Sequence, residues 1–141
     1  PLDGWLALGA HLPPKEKRGL VLVDPPFEEP GEFTRLVGGL VKGHRRWEGG
    51  IYALWYPLKE PREVADFVAA LKATAIPKML RIELALRAPS TPARLHGTGM
   101  IVVNPPYTLA DELNVLLPAL AEILADEGRG RWSIDWIRGE A

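Results

Sequence analysis

With 141 residues, 47% of them hydrophobic and 25% charged, the chain has room for one compact core and none for a second, and its 14 glycines and 14 prolines fall short of low-complexity or collagen levels. The absence of cysteine excludes disulfides, thiolate nucleophiles and Cys-based metal sites, and suits a reducing, cytoplasmic address. A formal net charge of −1 leaves any nucleic-acid affinity to a local patch, no apolar run approaches the ~18 residues of a membrane span, and the first residues lack signal-peptide order.

Short apolar runs alternate with amphipathic segments, which predicts an α/β sheet with helices on its faces. Asp3-Gly4-Trp5-Leu6-Ala7-Leu8 reads as a helix start. Gly19 to Val23 is continuously apolar, as a buried parallel strand requires, and stops at Asp24-Pro25-Pro26 because proline offers the ladder no donor. Phe33, Leu36, Val37, Leu40 and Val41 recur at three and four, predicting a helix over 32–47 whose last turn is basic. A second buried strand runs from Ile51 to Tyr56 and is closed by Pro57. A second helix starts at Pro61, carries Val64, Phe67, Val68 and Leu71 on one face, and ends near Ala75.

Lys78 to Leu86 alternates as a strand, 88–98 is a loop rich in Pro, Ser and Thr, and Met100 to Val103 forms a short strand that stops at Asn104-Pro105-Pro106. Leu109, Leu113, Leu116, Leu117, Leu120 and Leu124 mark a last helix, with a kink expected at Pro118 and an end at Gly128 and Gly130. Trp132 to Trp136 alternates as a closing strand, antiparallel or at a sheet edge. Its two tryptophans share a face and are expected to pack in the core or an interface.

Several chemistries drop out. Ser90 lies in a Pro-flanked loop and Ser133 in a strand, neither in a Gly-x-Ser-x-Gly elbow. His11, His44 and His96 are too scattered to pair on one helix face, so no metal is implied, and no phosphate-binding loop is present. What remains is Asp24-Pro25-Pro26-Phe27 at the end of a buried strand, where open α/β sheets take their ligands. The tetrapeptide resembles the Asp/Asn/Ser-Pro-Pro-aromatic motif of S-adenosylmethionine-dependent methyltransferases acting on the adenine amino group. That amine is a poor nucleophile because its lone pair is delocalised into the ring, so two acceptors must hold its N–H bonds and favour a pyramidal nitrogen. The Asp24 carboxylate and the Pro25 carbonyl can supply them. Pro25 and Pro26 add no competing donors, and Phe27 would stack on an extruded base. A strand-ending turn with an aspartate cap is the plainer alternative. Asn104-Pro105-Pro106-Tyr107 matches the same pattern, but only one helix and one strand follow it. Position therefore favours Asp24, and Asn104 is expected to be structural, capping the helix after it.

Asp3-Gly4, Arg18 to Glu28, Tyr52 to Pro57, Arg81 to Leu84, Gly97 to Pro106 and Trp136-Ile137 together resemble the bacterial 23S ribosomal RNA adenine-N6-methyltransferase J family over nearly the whole chain. The resemblance implies a Rossmann-like methyltransferase sheet with helices on both faces, mostly parallel with antiparallel C-terminal strands. It implies N6-methylation of an adenine in 23S ribosomal RNA with S-adenosyl-L-methionine as donor. Asp24, Pro25, Pro26 and Phe27 would be catalytic, and Asp3 and Gly4 would join Asp24 in the cofactor pocket. Family members also carry an N-terminal half with a Gly-rich cofactor loop and a ribose-binding acid, which have no counterpart here; Gly97-Thr98-Gly99 precedes a strand instead of following one. The chain is thus expected to be the C-terminal half of a catalytic domain, incomplete for cofactor binding and able to form a homodimer through the surface so exposed. A noncatalytic RNA-binding or assembly module, or a fragment of a DNA adenine methyltransferase, is the alternative.

Lys42, Arg45 and Arg46, beside Trp47, form the densest basic cluster and, with Lys17 and Arg18, are candidates for RNA phosphate contact. A helix C-terminus made basic to complement its dipole explains the first three equally well.

Overall fold

The computed structural model describes residues 3–139. Helix α1 (Gly4–Ala10) starts at Asp3, whose carboxylate accepts a hydrogen bond from the Trp5 amide at 2.8 Å. It lies on α2 (Glu32–Arg46), where Gly39 lets Leu8 and Trp5 come close. Strands β1 (Leu20–Val23), β2 (Ile51–Leu58), β3 (Met79–Ala85), β4 (Gly97–Val103) and β5 (Arg131–Arg138) form one sheet, and α3 (Pro61–Ala73) and α4 (Leu109–Leu124) complete the helices.

The spatial order is β1-β2-β4-β3-β5. β1, β2 and β3 point one way, while β4 and β5 point the other, as the antiparallel pairings of β4 with β2 and β3 and of β5 with β3 require. The expected parallel set with antiparallel C-terminal strands is therefore present. Because β4 is inserted between β2 and β3, β1 and β2 are the only neighbours in parallel contact among the described residues.

Period two divides the sheet residues cleanly. Tyr52, Leu54, Tyr56 and Leu58 of β2, with Ile101, Val103 and Met79, face Leu36 and Leu40 of α2 and Val64, Phe67 and Leu71 of α3 in the main core. Ala53, Leu80 and Val102 point to the other face and are also buried; α4, in contact with β3 and β5, buries Leu117 and Ala121 there. Helices thus cover both faces.

Four expectations need correction. β4 begins at Gly97, inside the segment read as a loop, because it pairs with β2 on one side and β3 on the other from its first residue. β2 continues through Pro57 to Leu58: β1 has already ended opposite Leu54, so β2 has one free edge there and a residue without an N–H is tolerated. Trp132 and Trp136 are 39% and 49% exposed, since β5 is an edge strand, and neither belongs to the core. α4 runs unbroken across Pro118.

A polar group is built into the main core. The Tyr56 hydroxyl donates to Glu83 Oε1 at 2.7 Å, and Arg81 Nε donates to the same oxygen at 2.8 Å. Burial, reinforced by the Glu83 carboxylate, pushes the Tyr56 phenol far above its ordinary value near 10, and burial also raises that of Tyr52. In the unfolded chain both phenols release their protons near pH 10, while folded Tyr56 keeps its own. Above that pH the unfolded state binds fewer protons, so stability falls as pH rises. The urea midpoint should drop between about pH 9.5 and 11, and Tyr56→Phe should flatten the drop. Identical profiles for the two proteins would show that Tyr56 ionises freely in the fold.

Candidate active site

The antiparallel direction of β4 sends the two Pro-Pro motifs to opposite ends of the sheet. Asp24 follows Val23, which pairs with Leu54, so its motif leaves the sheet at the carboxyl end of β1, alongside the middle of β2 and on the side toward which β2 and β3 run. Asn104 follows Val103, which pairs with Tyr52 near the start of β2, so its motif sits at the amino ends of the same strands. The crevice beyond the carboxyl ends is where sheets of this kind hold ligands, which favours Asp24.

At that end a mostly apolar cleft of about 490 Å³ lies between α1, with the turn after it, and β1. Gly4, Trp5, Leu8 and Leu12 form one wall, and Val21 through Pro26 the other. The structure thus brings Gly4 and Asp24 to one cavity, with Asp3 beside it as the cap of α1. Asp24 is exposed, and among the described residues nothing donates to its carboxylate or to the Pro25 carbonyl. Pro25 is buried and Pro26 exposed.

Phe27 takes a left-handed φ of 53°, an uncommon state for a bulky residue, and that turn sets its ring edge-on to Phe33 at 5.0 Å and to Trp55 at 5.8 Å. Phe33 in turn meets Phe67 at 5.0 Å, and Phe67 meets Tyr56 at 5.2 Å, so an aromatic chain ties the motif to the core. The half-buried Phe27 is anchored at its edge in this chain.

Asn104 behaves differently. Its side-chain amide donates to the Glu48 carbonyl at 2.7 Å and the Gly50 carbonyl at 2.9 Å, and its φ is 53°. It does not cap α4, whose N-cap is Thr108 without a side-chain bond; the amide reaches back to the loop before β2 instead. Two bonds lost and a strained φ predict that Asn104→Ala costs about 1–3 kcal/mol in urea unfolding. Asn104→Gly, which relieves the φ but not the bonds, should cost less than Asn104→Ala. Equal costs would remove the role given to the backbone.

The basic candidates gather at the Asn104 end. Arg45 and Arg46 close α2, Lys17 and Arg18 precede β1, and the Trp47 ring sits against Gly19 between them. Lys42 lies one turn back, over Gly9 of α1. None of the five lines the Asp24 cleft. Sequence reading passed over Trp5, Leu8 and Leu12 as cleft residues, although their three- and four-residue spacing was a usable signal for a packed face. Among the described residues no three His, Asp or Glu side chains gather closely enough to hold a metal ion, and no helix is long and apolar enough to cross a membrane.

The model of the family described as "Ribosomal RNA large subunit methyltransferase D, RlmJ" matches residues 2–138. The chain belongs to the RlmJ family. It is 41% identical over 138 residues to a Haemophilus influenzae protein named ribosomal RNA large subunit methyltransferase J, covering 98% of this chain and 49% of that protein. A protein of the same name from Escherichia coli K12 is 41% identical over 135 residues, covering 96% and 48%. A crystal structure of a Legionella pneumophila protein superposes with a TM-score of 0.86 at 30% identity, over 95% of this chain and 49% of that one. The chain therefore spans about half the length of the RlmJ proteins it matches.

Proposed function

We propose that this chain is the C-terminal half of an RlmJ-type enzyme, and that it carries the base-binding motif for S-adenosylmethionine-dependent N6-methylation of an adenine in 23S ribosomal RNA, a cytoplasmic reaction. The observation behind this reading is a pair of acceptors that receive no hydrogen bond from the described residues, the Asp24 carboxylate and the Pro25 carbonyl, on a cleft at the carboxyl end of β1. Asp24 would accept one N–H of the adenine amine and Pro25 the other, favouring a pyramidal nitrogen whose lone pair is no longer delocalised into the ring. Phe27, fixed by Phe33 and Trp55, would offer its remaining surface to the extruded base. Asp24 is also placed to take the proton that the nitrogen gives up once it is alkylated.

When bound, S-adenosyl-L-methionine supplies an electrophilic methyl group. The residues present suit one side of it: an apolar cleft of small-molecule size with a single carboxylate at its rim. Among the described residues that line that cleft Gly4, at the start of α1, is the only glycine, and no Gly-rich loop is among them, so on this reading the chain holds part of a cofactor site. β1 forms an open edge on which Leu20 and Leu22 are each 62% exposed, and there the remaining half of the family length, or a second copy of this chain, would add. The basic residues 17, 18, 42, 45 and 46 would meet RNA away from the target nucleotide.

Calorimetric titration of S-adenosylhomocysteine tests this division. Binding is expected when the chain is joined to the other half of the family length, and at least tenfold weaker binding to the 141-residue chain alone. Equal affinity would show that this chain holds the complete cofactor site.

A further inference from the structure

A second cleft, of about 620 Å³, opens at the same end of the sheet as Asp24 but toward the opposite edge, between α3 and the β3–β5 pair. Val64 and Val68 of α3 form its apolar wall. Four cations from four separate segments converge on it: Lys59 after β2, Lys72 in the last turn of α3, Arg87 after β3 and Arg131 at the start of β5. The single carboxylate that lines it, Glu83, is already shared by Tyr56 and Arg81 and neutralises none of the four. Arg87 pairs with the half-exposed Asp126 at 3.0 Å, while Lys59, Lys72 and Arg131 have no carboxylate partner among the described residues. In a chain of net charge −1 this is a concentrated local excess of positive charge.

We infer that this cleft binds backbone phosphates of RNA nucleotides flanking the target adenine, an inference that rests on RNA being the substrate. Four strand spacings separate β1 from β5, which puts the Arg131 side of the cleft on the order of 20 Å from Asp24. That is too far for the nucleotide held at Asp24 and suits its neighbours along the strand. Phosphates match the chemistry because their charges repeat along a chain and need no partner-specific geometry, so cations on four segments can each take one.

The test is binding of a short fluorescently labelled RNA hairpin to the 141-residue chain without cofactor, followed by anisotropy between about 50 and 200 mM salt. Lys72→Ala/Arg131→Ala, both exposed positions, should weaken binding on the order of tenfold and lower the slope of log affinity against log salt by about two. Arg129→Ala/Arg138→Ala removes the same charge outside the cleft and should leave both quantities within about twofold. Comparable losses in the two variants, an unchanged slope in the first, or no binding by the unaltered chain would overturn the inference. Competition by polyglutamate as strong as by polyuridylate would overturn it in favour of an acidic protein partner. No methyl transfer is read, so failure of the catalytic role of Asp24 and failure of this site are told apart.

Discussion

Replacing Asp24 by alanine, in an enzyme of full RlmJ length, is expected to lower kcat/KM for methyl transfer roughly 10²- to 10⁴-fold. The carboxylate is exposed and receives no hydrogen bond from the described residues, so its removal strands no donor and opens no cavity. The unfolding free energy should stay within about 0.5 kcal/mol. What is lost is an acceptor that acts on the amine at the moment its lone pair must leave the ring, so the deficit should appear in kcat more than in KM. Radiolabelled methyl transfer with urea unfolding on the same samples separates the two effects. A normal rate for Asp24→Ala, beside a folded but inactive Asn104→Ala enzyme, would exchange the roles assigned to the two ends of the sheet.

The second large effect belongs to Gly99. It lies opposite Tyr56 in the β2–β4 register, and a Cβ added there would fall 2.1 Å from Tyr56 Cζ. The ring cannot swing aside cheaply: it is fully buried, its hydroxyl is bonded to Glu83, and it packs in a T-shaped contact with Phe67, ring centres 5.2 Å apart. Gly99→Ala is therefore expected to cost about 3 kcal/mol, or roughly 10 °C in Tm. Gly99→Ala combined with Tyr56→Ala should cost less than the sum of the two single changes, because the second removes the clash created by the first. Additive costs would show that the added methyl is accommodated by some other movement.

These two residues also mark how far the sequence could be read. Asp24 was legible because its signal is local: an apolar run ends, two prolines follow, and an acid sits at the break. Gly99 was not, because glycine carries no strand propensity and the reason for it, the ring of Tyr56, lies 43 residues away in the chain. The same long-range cause hid the first residues of β4 and the continuation of β2 past Pro57. Trp132 and Trp136 have the alternation of a half-buried strand, and only the sheet order shows that β5 is an edge. Asn104 could be assigned a structural role from its position, but its partners, the carbonyls of Glu48 and Gly50, arrive only when β4 lies beside β2. The cleft cations come from four segments and have no shared motif at all.

The place of β4 also dictates an order of events. The strand is made after both of its neighbours and yet lies between them, so nothing in the sheet links β2 to β3 until residues 97–103 are available. At a synthesis rate of about 5–20 residues per second, the stretch from the end of β2 at Leu58 to Val103 takes roughly 2–9 s to appear, and during that time β2 presents an unpaired flank rich in Tyr, Leu and Trp. Pairing across such a sequence separation is slow to nucleate, because loop closure must be spent before any ladder forms. Nascent chains interrupted before Val103 should thus remain collapsed and adhesive, and those extended beyond it should become resistant to protease as β4 joins the two halves of the sheet in one step.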